Sequence, residues 1–453
     1  MTRVGLLVGE EKGLQLDVDI AVIGGGVAGL SAAIAARKRG ASVRLLESAP
    51  ASLRGGNARH ARNFRAAHGA PNRYSPGVYG RDEFVAELKQ IGGVDINAPL
   101  ARSLIDDSQT ISSWLADCGV RLQDPQTGVL PYSRRTVFLL GGGKAMVNAL
   151  YQTAARIGVD IVYGSEVIAL DLAADSGWRM TVICDGEQRR LSARCLVAAA
   201  GGPRADLAQL RAQYASMADE IAIRGCSHSD GRLMQVLMRV GARTVGDPAS
   251  CHMVAVDARG PKFDGGIITR VTAIPYGLVV DRDCTRVDIA DREIGRSHYA
   301  QWGHRIACCH NGLAYLILDA EGVRRSAPFA LEPIGASSLA ALAGKLGLDE
   351  AAFARVTETF NADPPPAAGP LMVPPFLAVP LRAGLTFVHY GIAVDERMRV
   401  MMRDGIAMES LFAAGMIMVA NVLRRGYLAG FGLTVSTISG RRAGEAAASH
   451  VLE

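Results

Sequence analysis

Gly24, Gly26 and Gly29 stand in Gly-x-Gly-x-x-Gly spacing, directly after an apolar run from Asp19 to Ile23 and directly before a helical stretch. A second apolar run, Val43 to Leu46, ends in Glu47. In such a βαβ unit the first glycine permits a tight turn, the second lets the backbone approach a pyrophosphate, and the third lets helix pack on strand. The helix N-terminus then faces the phosphates, and the acid accepts hydrogen bonds from ribose hydroxyls. This pattern predicts dinucleotide binding and leaves nicotinamide and flavin open. Shortly downstream, Gly55, Gly56 and Asn57 are followed by Arg59, His60, Arg62 and Arg65. Guanidinium forks match carboxylates, so this basic segment is a candidate anion clamp beside the cofactor.

The elements that must position these groups show as periodic stretches. Apolar residues at three- and four-residue spacing from Asp82 to Val120 predict two amphipathic scaffold helices. Residues 141–172 read as a glycine turn, a helix and a strand, and 188–202 as a strand ending in small residues. Residues 229–242 read as a helix stopped at Gly241. Between about Pro248 and Leu381 short β-like runs (GGIITRV, GLVVD, LAYLILD) alternate with a helical block reaching Phe360 and a proline cluster, Pro364–Pro366. That change predicts an inserted second lobe. From Val388 the chain returns to a strand, a glycine turn at Gly430 and a long helix, which closes the first lobe. The predicted fold is α/β: a Rossmann-like dinucleotide-binding domain over 1–247 and 382–453, with an inserted α+β capping domain over 248–381.

Composition narrows the class. The 453 residues are 49% hydrophobic and 21% charged, with no long uncharged apolar stretch, which predicts no transmembrane segment. The apolar patch near the N-terminus runs into Glu10, Glu11 and Lys12 without a cleavage-like site, so a cytoplasmic protein is expected. The cysteines number 8, are scattered and form no Cys-x-x-Cys pair, so no metal or iron–sulfur framework is predicted. Cys308 and Cys309, in an apolar run, read as buried thiols. A net charge of +5 without a Lys/Arg run points away from nucleic acid and toward small anions.

Further sets of small residues decide between the cofactors, because a flavin also needs its ribityl chain and ring held far from the first turn. GGNARH (55–60), VAAAGG (197–202), FAAG (412–415) and the turn at Gly430 supply them in order. This order resembles the FAD-dependent fumarate reductase and succinate dehydrogenase flavoprotein superfamily. Within it, GGNARHARNFR (55–65), FLLGGGKAMVNALY (138–151), ARGPKFDGGIITRV (258–271) and GYLAGFGLT (426–434) are similar to the tricarballylate dehydrogenases. Only one complete dinucleotide fingerprint is present, since Gly141–Gly143 open a helix without the following strand and acid.

The resemblance implies FAD contacts from Gly24, Gly26, Gly29, Glu47, Gly55, Gly56 and Asn57, a backbone contact near Val167, and closure by Gly201, Gly415, Gly430 and Leu433. It implies a CH–CH dehydrogenase or reductase acting on a small polycarboxylate such as tricarballylate, with hydride passing to FAD and an arginine assisting proton transfer. Arg292 and Arg296 are the proton-carrying candidates, in the segment 283–303 that matches the superfamily's cap arginine. His389 and Tyr427 are expected at the reacting centre, and Arg59, His60, Arg62 and Arg425 at the substrate carboxylates. Ala58 matches the position of the histidine that bonds FAD covalently in one branch, so noncovalent FAD is expected. Electrons would then leave through a separate electron-transfer protein, a quinone or oxygen. A helix opening at Gly430–Thr434 toward the flavin would stabilise its reduced form by up to about 2 kcal/mol, or roughly 40 mV for a two-electron couple.

The sequence departs from the family at several points. Met416 stands where the family has an acid, Ile289 and Ala290 where the cap carries an acidic pair, and Ser227–Gly231 where the tricarballylate dehydrogenases read Pro-Tyr-Asn-Thr-Gly. Two alternatives therefore accompany the dehydrogenase reading: a flavin-dependent monooxygenase of the corrin-biosynthesis type, and a flavin-binding protein whose catalysis has lapsed.

Overall fold

The computed structural model describes residues 18–124, 134–173, 177–202, 219–288 and 301–453. The fingerprint run Val18–Ile23 is the inner strand of an 8-stranded sheet whose path runs Arg399–Met401, Ala407–Ala413, Glu187–Ala198, Val18–Ile23, Val43–Leu46, Asp160–Val162. From Ala407–Ala413 to Asp160–Val162 neighbouring strands are parallel, as βαβ crossovers require. Such a sheet is covered on both faces, and Ile20, Ala21 and Val22 are fully buried. Ser165–Leu172 and Trp178–Cys184 form an antiparallel hairpin on Glu187–Ala198.

Helix Val27–Lys38 and the C-terminal helix Phe431–Leu452 pack backbone to backbone because small residues face each other. A Cβ on Gly440 would overlap the Ala28 carbonyl, and one on Gly444 the Ala32 carbonyl. This pairing fixes where both helix N-termini point. Residues 81–117 contain three helices where two were expected, Arg81–Gly92, Ala98–Asp107 and Ile111–Asp117. The second expected helix is interrupted by a single tight turn at Ser108–Thr110.

The second sheet has 6 strands on the path Thr244–Asp257, Phe376–Ile392, Ala314–Leu318, Leu278–Asp281, with short strands Ala222–Ile223 and Ile334–Ala336 also on Phe376–Ile392. Its two longest strands pair antiparallel from Thr244 with Ile392 to Asp257 with Leu381, so residues 248 and 381 both fall within that ladder. GGIITRV, expected as a strand, is instead a series of turns ending in an isolated bridge from Arg270 to Val256. Cys308 is exposed and Cys309 half-buried, where two buried thiols were expected. No helix among the described residues is long and apolar enough to cross a membrane.

Candidate functional site

A cleft of about 270 Å³ runs between the carboxyl ends of the parallel strands and the second sheet. At one end the fingerprint folds into a backbone cradle. Gly24 has φ +108°, which an L side chain rarely adopts, and a Cβ on Gly29 would overlap the Gly24 carbonyl oxygen. Gly26 caps helix Val27–Lys38 without any side-chain hydrogen bond, which leaves its first N–H groups to a ligand. Glu47 is 5% exposed; its Oε2 accepts from Gly25 N–H at 2.9 Å and its Oε1 from Ala49 N–H at 2.8 Å.

Tyr151 is a member of the cradle that the spacing did not announce. Its hydroxyl donates to the Gly25 carbonyl at 2.9 Å and stands 3.4 Å from Glu47 Oε2. Burial and the adjoining carboxylate push its phenol pKa far up, so it stays protonated as a donor. A Cβ on Gly25 would overlap that hydroxyl, so Gly25 is as constrained as Gly24.

Most of the expected cofactor residues converge on this cleft. Gly24, Gly26, Glu47, Gly55, Gly56, Asn57, Gly201, Gly430 and Leu433 line it. Asn57 Oδ1 also accepts the Cys226 N–H at 2.9 Å, which ties the loop to the second sheet's approach. Gly430, with φ +84°, caps helix Phe431–Leu452 without a side-chain bond and approaches Phe64 and Arg65 so closely that a Cβ would stand 2.8 Å from Arg65 N. Thr434 Oγ1 pins that helix start, accepting Arg65 N–H at 3.1 Å and donating to Arg65 O at 2.5 Å. Three expected residues lie outside the lining. Gly29 packs helix on strand, and Gly415 donates its N–H to Ser439 Oγ at 2.8 Å beneath Ala28. Val167 is buried in the hairpin opposite Val182.

The expected anion clamp divides. His60 and Arg62 line the cleft. His60 Nε2 bonds Asp264 Oδ1 at 2.7 Å, and burial outweighs that carboxylate to hold its pKa below 6.5. Arg59 turns away and donates to the Leu53 carbonyl at 2.9 Å. Arg65 is committed to Glu87 Oε2 at 2.5 Å, Tyr79 Oη at 2.7 Å and the Ala429 carbonyl at 3.1 Å, a structural anchor for the Gly430 turn. Arg425 is exposed beside Gly93, outside the lining. Arg292 and Arg296 lie outside the described residues.

Tyr427 lines the cleft, with Gly432 next to its hydroxyl. His389 does not line it. It is 1% exposed, donates from Nε2 to the Gly426 carbonyl at 2.9 Å and accepts from Ser250 Oγ at Nδ1, also at 2.9 Å. Gly426 can only accept, which fixes the neutral tautomer, and burial brings the pKa to about 4. His389 is thus a strut behind Tyr427. In its place the second sheet contributes residues that sequence reasoning missed: Arg224, His252, Arg270, Thr386 and Phe387. The ladder brings one pair together, since His252 and Phe387 are direct partners, and no spacing along the chain signals it.

A buried strand-end carboxylate, uncapped helix N-termini and glycines that no Cβ could replace suit a pyrophosphate-linked dinucleotide. The start of helix Gly142–Arg156 offers no second such site: Gly143 N–H is bonded to the Ala61 carbonyl at 2.6 Å. Fold and cleft therefore define a dinucleotide-cofactor protein with a second sheet over its site. Residues 19–433 match the family described as FAD binding domain, and the chain belongs to that family.

Two characterised relatives are similar to it. It is 25% identical over 432 residues to the NADH:fumarate oxidoreductase of Klebsiella pneumoniae (strain 342), covering 88% of this chain. It is 25% identical over 345 residues to the 4-oxocyclohexanecarboxylate 2-dehydrogenase of Sinomonas cyclohexanicum, covering 66% of this chain. The chain spans 44% of the length of the first and 58% of the second. Its fold matches the open conformation of a flavocytochrome c3 fumarate reductase with a TM-score of 0.77 at 20% identity, over 96% of this chain and 79% of the other.

Proposed function

We propose that the chain is an FAD-dependent oxidoreductase acting at a CH–CH bond of a small organic carboxylate, with FAD held noncovalently. The observation that carries this is one continuous cleft, with a dinucleotide cradle at one end and Arg62, Arg224 and Arg270 in its lining. The relatives support it, since fumarate and 4-oxocyclohexanecarboxylate are both carboxylates. The resemblance to tricarballylate dehydrogenases places tricarballylate among the acids to be tried.

In this reading Gly24, Gly25 and Gly26 with the Val27 helix start take the pyrophosphate, Glu47 the ribose, and the Gly430–Leu433 turn the ring. When bound, FAD supplies two-electron chemistry, accepting or returning the hydride of one carbon while a proton leaves or joins its neighbour. The chain's own residues bind and orient. The arginines neutralise the carboxylate, and a neutral His252 and Tyr427 form the wall beside it. Tyr427 Oη is placed beside the Gly432 turn to hold a proton. Arg292 or Arg296 is the proposed proton carrier, on the resemblance alone. A separate protein, a quinone or oxygen completes the electron path.

His60 lines the cleft but its Nε2 is engaged by Asp264, and Ala58 offers no nucleophile, which favours noncovalent FAD. Acid precipitation should then release all of the yellow colour into the supernatant. Anaerobic mixing with a panel of saturated carboxylates tests the reaction, because a substrate bleaches the flavin band. If no saturated acid bleaches it and no unsaturated acid reoxidises the reduced protein, the proposal is wrong.

A further inference from the structure

The end of the cleft beneath the second sheet has two walls of opposite character. One is aromatic. His252 stacks on Tyr427 with 4.9 Å between centroids and 30° between planes, and Phe387 lies 5.5 Å from His252 and 5.6 Å from Tyr427. Ile223, Leu385 and Met416 extend this apolar lining. His252 behaves as a neutral plate, since burial first and then the nearby cations Arg224 and Arg270 hold its pKa well below 6.5.

The other wall is cationic and fixed. Arg224 donates from Nε to the Gly266 carbonyl at 2.9 Å and from Nη1 to the Thr386 hydroxyl at 2.8 Å, which sets the plane of its fork. The Gly266 N–H returns a bond to the Arg224 carbonyl at 3.0 Å, so backbone and side chain are held by the same turn. Gly384 makes room for the stem, because a Cβ there would stand 3.0 Å from Arg224 Cδ. A guanidinium held this way presents a planar, oriented donor edge, which suits a carboxylate better than a diffuse charge would.

We propose that Arg224, oriented by Thr386 and Gly266, anchors the substrate carboxylate and that the His252, Tyr427 and Phe387 wall packs on an apolar ring, so that the preferred substrates are ring-bearing carboxylates. This rests on the CH–CH oxidoreductase reading. A planar or cyclic body gains both buried apolar area and ring-on-ring contact from such a wall. An aliphatic polycarboxylate gains no such ring-on-ring contact from it.

Calorimetric titration of the FAD-loaded protein with trans-cinnamate, cinnamamide, fumarate and tricarballylate reads anchor and wall separately. Cinnamate should bind about 10- to 100-fold more tightly than cinnamamide, the worth of one charge-assisted pair, and more tightly than either aliphatic acid. Arg224→Gln should abolish the preference for acid over amide while the flavin absorbance stays. Thr386→Val, which leaves the guanidinium in place but removes one of its acceptors, should lower the acid preference by about 3- to 10-fold. It serves as the test should Arg224→Gln fold poorly. Phe387→Ala should weaken cinnamate and leave fumarate unchanged. Retention of the acid-over-amide preference in both Arg224→Gln and Thr386→Val, or tighter binding of the aliphatic acids than of cinnamate, overturns the inference. Anaerobic reoxidation of the reduced flavin separates the two readings. Reoxidation by fumarate but not by cinnamate removes the ring-carboxylate inference and leaves the CH–CH reading. Cinnamate binding as described, with no electron exchange by any acid, removes the CH–CH reading instead.

Discussion

The two ends of the cleft are built from different material. The dinucleotide end is backbone: glycines that let the turns close against Ala199, Tyr151 and Val147, with Glu47 and Tyr151 bracing it. The other end is side chain: Arg224, His252, Arg270, Thr386 and Phe387, drawn from strands and turns far apart in sequence. At Gly24, Gly25 and Gly55 the backbone cradle tolerates no added atom, and it is insensitive to pH near neutrality. A side-chain wall tolerates resizing but carries groups that titrate. Damage to the first should cost the cofactor, and damage to the second should cost recognition while the protein stays yellow.

The sharpest way to break that contrast is Gly29→Ala. The new Cβ would overlap the Gly24 carbonyl, a backbone atom that can move only with the whole turn. Overpacking of this kind costs about 1–3 kcal/mol, and here it also displaces the phosphate turn. A colourless preparation with a lowered melting temperature is expected, whereas Arg270→Ala should retain full flavin absorbance. Normal flavin content in Gly29→Ala would show that the cradle is not the cofactor site.

The next effect belongs to the side-chain end. His389 has an ordinary pKa near 6.5 unfolded and about 4 in the folded chain. Between those values the unfolded chain binds a proton that the native state refuses, so stability falls as pH drops. The loss is absent above pH 6.5, is complete below about 4, and reaches up to about 3 kcal/mol. His252, whose pKa is lowered by burial in the same direction, steepens the slope. Urea unfolding at pH 7 and pH 5 should show the decline, and His389→Gln should flatten part of it. A slope unchanged by that substitution would remove His389 as its source.

Thr434→Val sharpens the junction between the two ends. It strips Arg65 N and O of their shared hydroxyl partner at the start of the C-terminal helix. Two buried backbone groups lose a bond, for about 1–3 kcal/mol. Flavin content should fall only as far as the helix start shifts, read by absorbance against a melting curve.

What the sequence disclosed follows the same division. Gly24, Gly26, Gly29 and Glu47 are legible because a backbone site needs fixed spacing within one βαβ unit. Gly25 was hidden only because the fingerprint leaves that position open, although Tyr151 forbids a side chain there. The parallel order of the first sheet followed from the alternation of strands and helices. The recognition end was not legible, because its members are assembled by the ladder between Thr244–Asp257 and Phe376–Ile392, whose register is interrupted by bulges between Gly246 and Cys251 and between His252 and Met253. Those shifts decide which side chains face the cleft. Phe387 lines it and His389, two residues on, supports Tyr427 from behind. Basic clusters misled for a related reason: Arg59 and Arg65 satisfy carbonyls and a half-buried carboxylate, needs that charge counting along a chain does not reveal.

The smallest expected effect lies where the two ends meet, at His60 Nε2 and Asp264 Oδ1, 2.7 Å apart with side chains 20% and 31% exposed. Geometry alone suggests an ion pair. Burial, however, dominates Asp264 in setting the His60 pKa, and the cations Arg59 and Arg224 push the same way, so the imidazole is neutral at pH 7. The contact is then a hydrogen bond from neutral Nε2–H to an anion, partly reached by water, worth about 1 kcal/mol or less. Asp264→Asn keeps an acceptor oxygen and should therefore change stability by less than about 1 kcal/mol at pH 7. The loss should not vary between low and high salt, because no pair of opposite charges is being screened. It should also lower the His60 titration further, as seen in its ring proton shifts, since one of the influences raising it is gone. A large, salt-sensitive loss would mean that His60 is an imidazolium and that charge, rather than a shared proton, joins the backbone-built end to the side-chain-built one.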